Sequence, residues 1–531
     1  MHSPGRRRAR TRGVTALLGS VALLAGCAVG PDTGPNVVRG DNAQQDDSGT
    51  PKQPQLAAPK NDLNWKPCAD SIADKYGLAK DGATGAGGVE LKGIELDCAR
   101  YDVPVNAAEQ SGNTIRIGAV RARTDKTPKT AVPLVLTSGN DMPSSRTLLS
   151  FTGEQGRPLL DRRPIVAIDH RGTGTSGLID CMTKRQRAAY DVNGAEAGRD
   201  LPERVEKLSE SARAAADQCN DALSPDQLDY SAAAAAGDLE QLRERWDVER
   251  LALLSVGDGS SVALAYAAQH PDRVGRLIMD SPVGYNVSAK EVAASRARGL
   301  QESLATFIRR CAGAGCALGA NGAAVVGRLM SAGATASGDA LSDTEVLQAV
   351  TTALAVGDTS PDGLKALGSA LVDADRGDTA ALRRLAEQGR ALRLADGQVV
   401  SRCNDMRGRP GGDEIPGLAR EWSGQSPFTG TTTALDLARC DGWGVADTPA
   451  APDRFAVAPL VLIGKNDPVN GADAANSLTP LLLAANTAQT SVSWDGLGYS
   501  VAAHSTCAGQ VIGEYLGETP LGSPAERACP A

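Results

Sequence analysis

The segment LALLSVGDGSSVALAY, residues 251–266, constrains the architecture of this chain more than any other stretch. LALLSV is an apolar run of strand length, interrupted only by Ser255, and a run that does not alternate belongs to a strand buried on both faces. Gly257 and Gly259 then break the pattern, and an alanine-rich stretch with helical spacing follows at once. A buried strand that turns this sharply into a helix is the unit from which parallel sheets are built.

The same alternation extends to both sides. IELDCARYDVPV, TIRIGAVRAR and AVPLVLTSG read as strands, and PIVAIDHRGTGTSG (164–177) reads as a buried strand running into a glycine-rich loop. SAAAAAGDLEQLRERW reads as a helix before the strand at 251, and VGRLIMDSPVG as a buried strand after the next helix. From about 287 to 400 alanine-rich helical patterns dominate, with no long strand signal. Strand and loop signals return at APLVLIGKNDPVNG (458–471) and TSVSWDGLGYS (490–500). The expectation is an α/β fold: a mostly parallel central sheet flanked by helices, with a helical lid inserted over it. The boundaries read as a first core part at 61–286, a helical lid at 287–445 and a second core part at 446–531.

The N-terminal residues speak to compartment. Five arginines between Arg6 and Arg12 precede VTALLGSVALL, an apolar stretch too short to span a bilayer. It ends in Leu24-Ala25-Gly26-Cys27, which fits a lipoprotein cleavage box with residues 1–26 as signal peptide and Cys27 as the acylated residue. Residues 27–60 are rich in Asp, Gln, Pro, Gly and Asn, and read as a flexible tether. The chain is therefore expected to be exported and lipid-anchored at the outer face of the cell membrane.

Net charge is −8 and aromatic residues make up 3%, so nothing basic or aromatic suggests a nucleic-acid partner. Setting Cys27 aside, an even number of cysteines remains, which in an exported chain argues for disulfides. Metal binding is the weaker alternative, because no C-x-x-C occurs and there are four histidines. No cofactor motif is present.

The strand–turn–helix at 251–266 is the setting of a nucleophile elbow, G-x-S-x-G, in which a serine occupies the turn. Here the corresponding five residues are Ser255, Val256, Gly257, Asp258 and Gly259. NWKPC, ELDCARYDVPV, AIDHRGTGTSG, AYAAQHPDRVGRLIMDSPV, CAGAGCALG, RCDGW, PLVLIGKNDPVNG and CAGQVIGEYLGETPLGSPAERAC carry a wider resemblance, from about Trp65 to Cys529. The chain resembles the secreted tripeptidyl-aminopeptidase-like (TAP-like) α/β-hydrolases of actinobacteria. That resemblance implies an α/β-hydrolase fold and serine exopeptidase chemistry, with a Ser–Asp–His triad in chain order. With the order of the cysteines, it also implies five bridges: Cys68–Cys98, Cys181–Cys219, Cys311–Cys316, Cys403–Cys440 and Cys507–Cys529.

Carried onto this sequence residue by residue, the family's site is degenerate. Gly257 stands at the nucleophile position, and a glycine has no hydroxyl to offer. Tyr499, in DGLGYS, stands at the histidine position. The acid position is retained as Asp467 in GKNDPV, although an aspartate before proline also caps a turn through its own side chain. The oxyanion loop reads TSGNDMP. Gly139 matches a family glycine, Asn140 follows it, and Asp141 adds negative charge where an oxyanion would form. Asp258 would supply the N–H that follows the nucleophile.

Ser260 and Asp258 are the alternative nucleophiles and His504 the alternative base. Each needs hydrogen-bond reach to a partner before it can act. Three readings follow. The first is a non-catalytic binder of a peptide, lipid or cell-wall ligand in the lid cleft. The second is a working hydrolase with a displaced nucleophile. The third is a structural envelope protein whose cleft is closed.

Overall fold

A computed structural model describes residues 53–531 other than 79–88, 90, 107–111, 337, 339, 520 and 522–524. The signal peptide, Cys27 and most of the tether lie outside the described residues.

Ten strands form one sheet: β1 (Lys66–Pro67), β2 (Ile94–Pro104), β3 (Thr114–Thr124), β4 (Leu134–Thr137), β5 (Ile165–Ile168), β6 (Leu251–Val256), β7 (Val274–Asp280), β8 (Leu460–Asn466), β9 (Thr490–Leu497) and β10 (Glu526–Cys529). Their spatial order is β1-β2-β3-β5-β4-β6-β7-β8-β9-β10. β2 and β3 form a long antiparallel hairpin and β3 pairs antiparallel with β5; from β5 to β10 every pairing is parallel.

The apolar runs explain the layers. LVLT, IVAI, LALLSV and VGRLIMD are buried at every position. Successive side chains in a strand point to opposite faces. Accordingly Ala252, Leu254 and Val256 of β6 pack with Leu136, Ile278 and Leu462 on one face. Leu251 and Leu253 pack with Val135, Leu277 and Val461 on the other. Both faces need helical cover, which the helices between the strands supply. This is the α/β-hydrolase fold, with a mostly parallel sheet flanked by helices.

Between β7 and β8 the described residues contain helices and no strand. The first of them, Ala289–Gly313, starts at a Ser288/Glu291 capping box. Its Gly299 lies against Gly471 of the loop after β8, so closely that a Cβ at either residue would strike the other's backbone. That contact seats the helix and brings Arg296, one turn earlier, over the same loop.

The helices Lys184–Val192 and Leu201–Leu223, which precede β6 in the chain, pack with this helical layer as well as following the core. Arg204 and Asp343 tie the two segments through a buried bidentate pair at 2.9 and 3.0 Å. Among the described residues five disulfides are present, each joining cysteines consecutive in the chain: Cys68–Cys98, Cys181–Cys219, Cys311–Cys316, Cys403–Cys440 and Cys507–Cys529. No helix among the described residues is long and apolar enough to cross a membrane.

Candidate functional site

β6 ends at Val256, and Gly257 turns the chain with φ +56° before the helix Gly259–Gln269 begins. That left-handed conformation is strained for residues with a Cβ. Gly259 is required for a different reason: a Cβ there would collide with the Thr137 carbonyl on the neighbouring strand. The Gly257 N–H donates to the Asp280 carbonyl at 2.9 Å, which fixes the turn at the carboxyl edge of the sheet. The elbow geometry is thus complete, without the side chain it would present.

The space above Gly257 is occupied. A Cβ on Gly257 would lie 2.6 Å from both Asn470 Nδ2 and the Tyr499 hydroxyl, and closer still to Asp141 Oδ2. Asp141, 1% exposed, is the hub of this cluster. Its Oδ2 accepts from the Asp258 N–H (2.9 Å), Asn470 Nδ2 (2.7 Å) and the Tyr499 hydroxyl (3.2 Å). Its Oδ1 accepts from Arg296 Nη2 at 2.9 Å, while Arg296 Nε donates to Asn470 Oδ1 at 3.1 Å. A carboxylate taken out of water is tolerable only when paired and fully hydrogen-bonded, and Asp141 is both.

The two N–H groups expected to face an oxyanion are those of Asp258, just past the elbow, and Asn140, in the loop after β4. Asp258 N–H is held by Asp141 Oδ2, and Asn140 N–H by the Asp258 carboxylate at 2.9 Å. Both donors already serve carboxylates of the same chain. Gly139, with φ +56°, lies so close to Asp258 that a Cβ would strike it.

The histidine position holds a buried phenol. The Tyr499 hydroxyl lies 3.2 Å from Asp141 Oδ2 and from the Val256 carbonyl oxygen. Burial, and then the nearby Asp141 and Asp467 charges, raise its pKa well above that of a free tyrosine. A phenol held protonated donates; it does not accept a serine's proton. The loop that carries it is anchored by Asp280, whose carboxylate accepts from the Ser500 hydroxyl and the Val501 and Ala502 N–H groups at 2.7–2.9 Å.

Asp467, at the retained acid position, is fully buried. Its Oδ1 accepts from the Val469 and Asn470 N–H groups at 2.7 and 3.0 Å, while Oδ2 has no partner among the described residues. Burial raises its pKa to about 7, against the pull of those two N–H groups. The carboxylate therefore closes the 467–470 turn, and no imidazole takes up its free oxygen.

The alternative residues are not brought together. Ser260 is buried and exchanges hydrogen bonds with the Val283 backbone at 3.1 and 3.3 Å. His504 Nδ1 lies 2.9 Å from the Ser500 carbonyl and its ring stacks on Trp494. Among the described residues no hydrogen bond joins His504 to Ser260, Asp258 or Asp467. Asp258 has its Oδ2 on Asn140 N–H and its Oδ1 near the Ser261 hydroxyl. One serine–histidine contact does exist among the described residues, between Ser401 Oγ and His170 Nε2 at 3.3 Å, but both residues are buried and neither lines the cleft.

Beside the filled elbow lies a cavity of about 180 Å³ between the sheet edge and the lid helices. Asn140, Asp258 and Ser261 form its floor, and Arg296, Leu347 and Arg402 are among its lid residues. It is a separate space from the Gly257 position.

Comparison with known proteins agrees with this architecture. Residues 139–321 match the family described as alpha/beta hydrolase fold, and residues 426–528 match the one described as TAP-like protein. The serine protease Hip1 of Mycobacterium tuberculosis (strain ATCC 25618 / H37Rv) is 25% identical over 519 residues, covering 88% of this chain and 91% of Hip1. Over these residues the chain is similar to the TAP-like α/β-hydrolases.

Hip1 of Mycobacterium bovis matches over the same span at the same identity. Among solved structures, esterase E22 aligns over 80% of this chain and 100% of its own at 12% identity, with a TM-score of 0.34. The esterase RhEst1 from Rhodococcus sp. ECU1013 aligns over 76% of this chain and 96% of its own at 15% identity, with a TM-score of 0.35. Within this fold, sequence reasoning missed Arg296, Asn470 and Asp280. Only Asp141 carried a sequence signal, as a charge in a loop that should be glycine-rich.

Proposed function

We propose that this chain is a non-catalytic TAP-like α/β-hydrolase, exported and lipid-anchored through Cys27, that uses its cleft to hold a ligand. The observation that carries the reading is Asp141: its carboxylate occupies the place of a nucleophile's side chain and takes up an oxyanion donor. The absent serine, the phenol in place of imidazole and the filled oxyanion hole are three separate departures at one site. Restoring any one alone would leave the other two. The cavity beside the elbow supports a binder over a closed envelope component, because the lid leaves space for a small ligand. Peptides, lipids and cell-wall fragments are the ligand classes the lid cleft suits.

The test is labelling of the purified protein with a fluorophosphonate, beside turnover of tripeptide and ester substrates. Silence in both is expected. Labelling lost on Ser260→Ala overturns the reading, and so does substrate turnover lost on Asp258→Asn, which a fluorophosphonate would not detect. The anchor is tested separately: Cys27→Ala should release the protein from the membrane fraction.

A further inference from the structure

The cavity carries more positive charge than its own carboxylates neutralise. Arg296 is committed to Asp141, and Arg439 to Asp436, Asn193 and Tyr190. Arg393 and Arg402 are not committed. Arg393 makes no hydrogen bond to any described residue, and its Nε is buried without a partner. Arg402 gives one hydrogen bond, from Nη2 to the Asn140 carbonyl at 3.2 Å, and its Nε is likewise orphaned. Both side chains line the cavity. Guanidinium groups withdrawn from water are ordinarily paired with a carboxylate or phosphate, because their planar forks match those anions.

The acidic side chains in the cavity do not supply the missing partner. Asp258 is held by Asn140 N–H and Ser261, and Asp405 by the Ala232 N–H at 3.0 and 3.1 Å. Burial, then a neighbouring carboxylate, pushes both carboxyls up, which reduces the negative charge they offer. Burial and the charges of Arg296 and Arg393 lower the Arg402 guanidinium, against the weaker pull of Asp141, which makes no hydrogen bond to it. Around this polar end the wall is apolar, with Val287, Val292, Leu300, Leu347, Leu394 and Leu437.

We infer that the cavity is a binding site for a small amphipathic anion, its carboxylate or phosphate held by Arg393 and Arg402 and its apolar tail lying against the lid. The inference rests on the non-catalytic, ligand-holding reading above and names the ligand's chemistry. The anion would be gripped from the lid rather than by the elbow.

The test is calorimetric titration of the full chain with hexanoate, 1-hexanol and inorganic phosphate. It is repeated on Arg402→Met and Arg393→Met, with thermal unfolding checked for each variant. Hexanoate is expected to bind more tightly than hexanol. Each substitution is expected to weaken hexanoate by about thirtyfold or more, the usual cost of removing one partner from a desolvated charge pair. Competition by phosphate would assign the recognition to the anionic head alone and supports the inference. Equal binding of hexanoate and hexanol, unchanged in a folded Arg→Met variant, overturns it while leaving a ligand-holding cleft. Absence of binding by hexanoate and phosphate also overturns it, and the fluorophosphonate result then stands or falls independently.

Discussion

Asp141 and Arg296 offer a quantitative check on how the filled elbow is held. Replacing Arg296 by Met leaves a carboxylate with three neutral donors and no hydrogen-bonded cation. Breaking a buried ion pair from one side costs about 3–5 kcal/mol. Arg296's side chain is 20% exposed, so water reaches part of it, and about 2–4 kcal/mol is the better expectation. Asp141→Ala strips the acceptor from the Asp258 N–H, Asn470 Nδ2 and the Tyr499 hydroxyl. At about 1–3 kcal/mol for each buried donor left unmade, and with some re-pairing of Tyr499 to the Val256 carbonyl, about 3–5 kcal/mol is expected. In the double variant neither charge remains to be stranded, so its loss should fall short of the sum by about 1–3 kcal/mol. Urea unfolding of the oxidised protein, followed by tryptophan fluorescence and circular dichroism, measures all three. Additivity within about 0.5 kcal/mol would refute the reasoning, because the pair would then not be coupled.

Two further outcomes follow from the same site. Asp467's pKa of about 7 lies above its ordinary carboxylate value, so between pH ~4 and ~7 the folded state holds the extra proton. Stability should therefore fall as pH rises through that window, by about 4 kcal/mol if no other group compensates. Asp467→Asn should flatten that slope, and an unchanged slope in pH-dependent urea titrations would contradict it. Gly257→Ser alone should destabilise by about 1–3 kcal/mol, through positive φ and the crowding of Asp141. Adding Asp141→Gly should relieve the crowding, so that Gly257→Ser costs less in that background; an equal cost in both would place the strain in the backbone alone.

Much of this was legible in the sequence because it is local. Non-alternating apolar runs such as LALLSV specify strands buried on both faces, and Gly257 at the expected serine position is visible wherever the elbow is recognised. Tyr499 and Asp467 follow from short motifs in the same way. What the sequence hides is how the altered site is neutralised. Asp141 is read as an intrusive charge in a glycine-poor loop, but its partners Arg296 and Asn470 lie 155 and 329 residues away. Arg296 is one of many arginines on an alanine-rich helix until Gly299 docks that helix against Gly471. His504 and Ser260 look usable by spacing alone. The structure gives them backbone partners, because each sits at a helix end or turn where such groups must be satisfied. The helices before β6 that pack with the lid were unreadable for a related reason: their partners lie far along the chain, as Asp343 lies 139 residues from Arg204.

The central claim is that the scaffold is intact and the chemistry has been removed at Asp141, Gly257 and Tyr499. The direct measurement is fluorophosphonate labelling of the wild-type protein beside the triple variant Gly257→Ser, Tyr499→His, Asp141→Gly. That variant supplies nucleophile and base and frees the Asp258 N–H. The account predicts a silent wild type and a labelled triple variant. A wild type that labels, and stops labelling on Ser260→Ala, would contradict it and make this chain an enzyme with a displaced nucleophile.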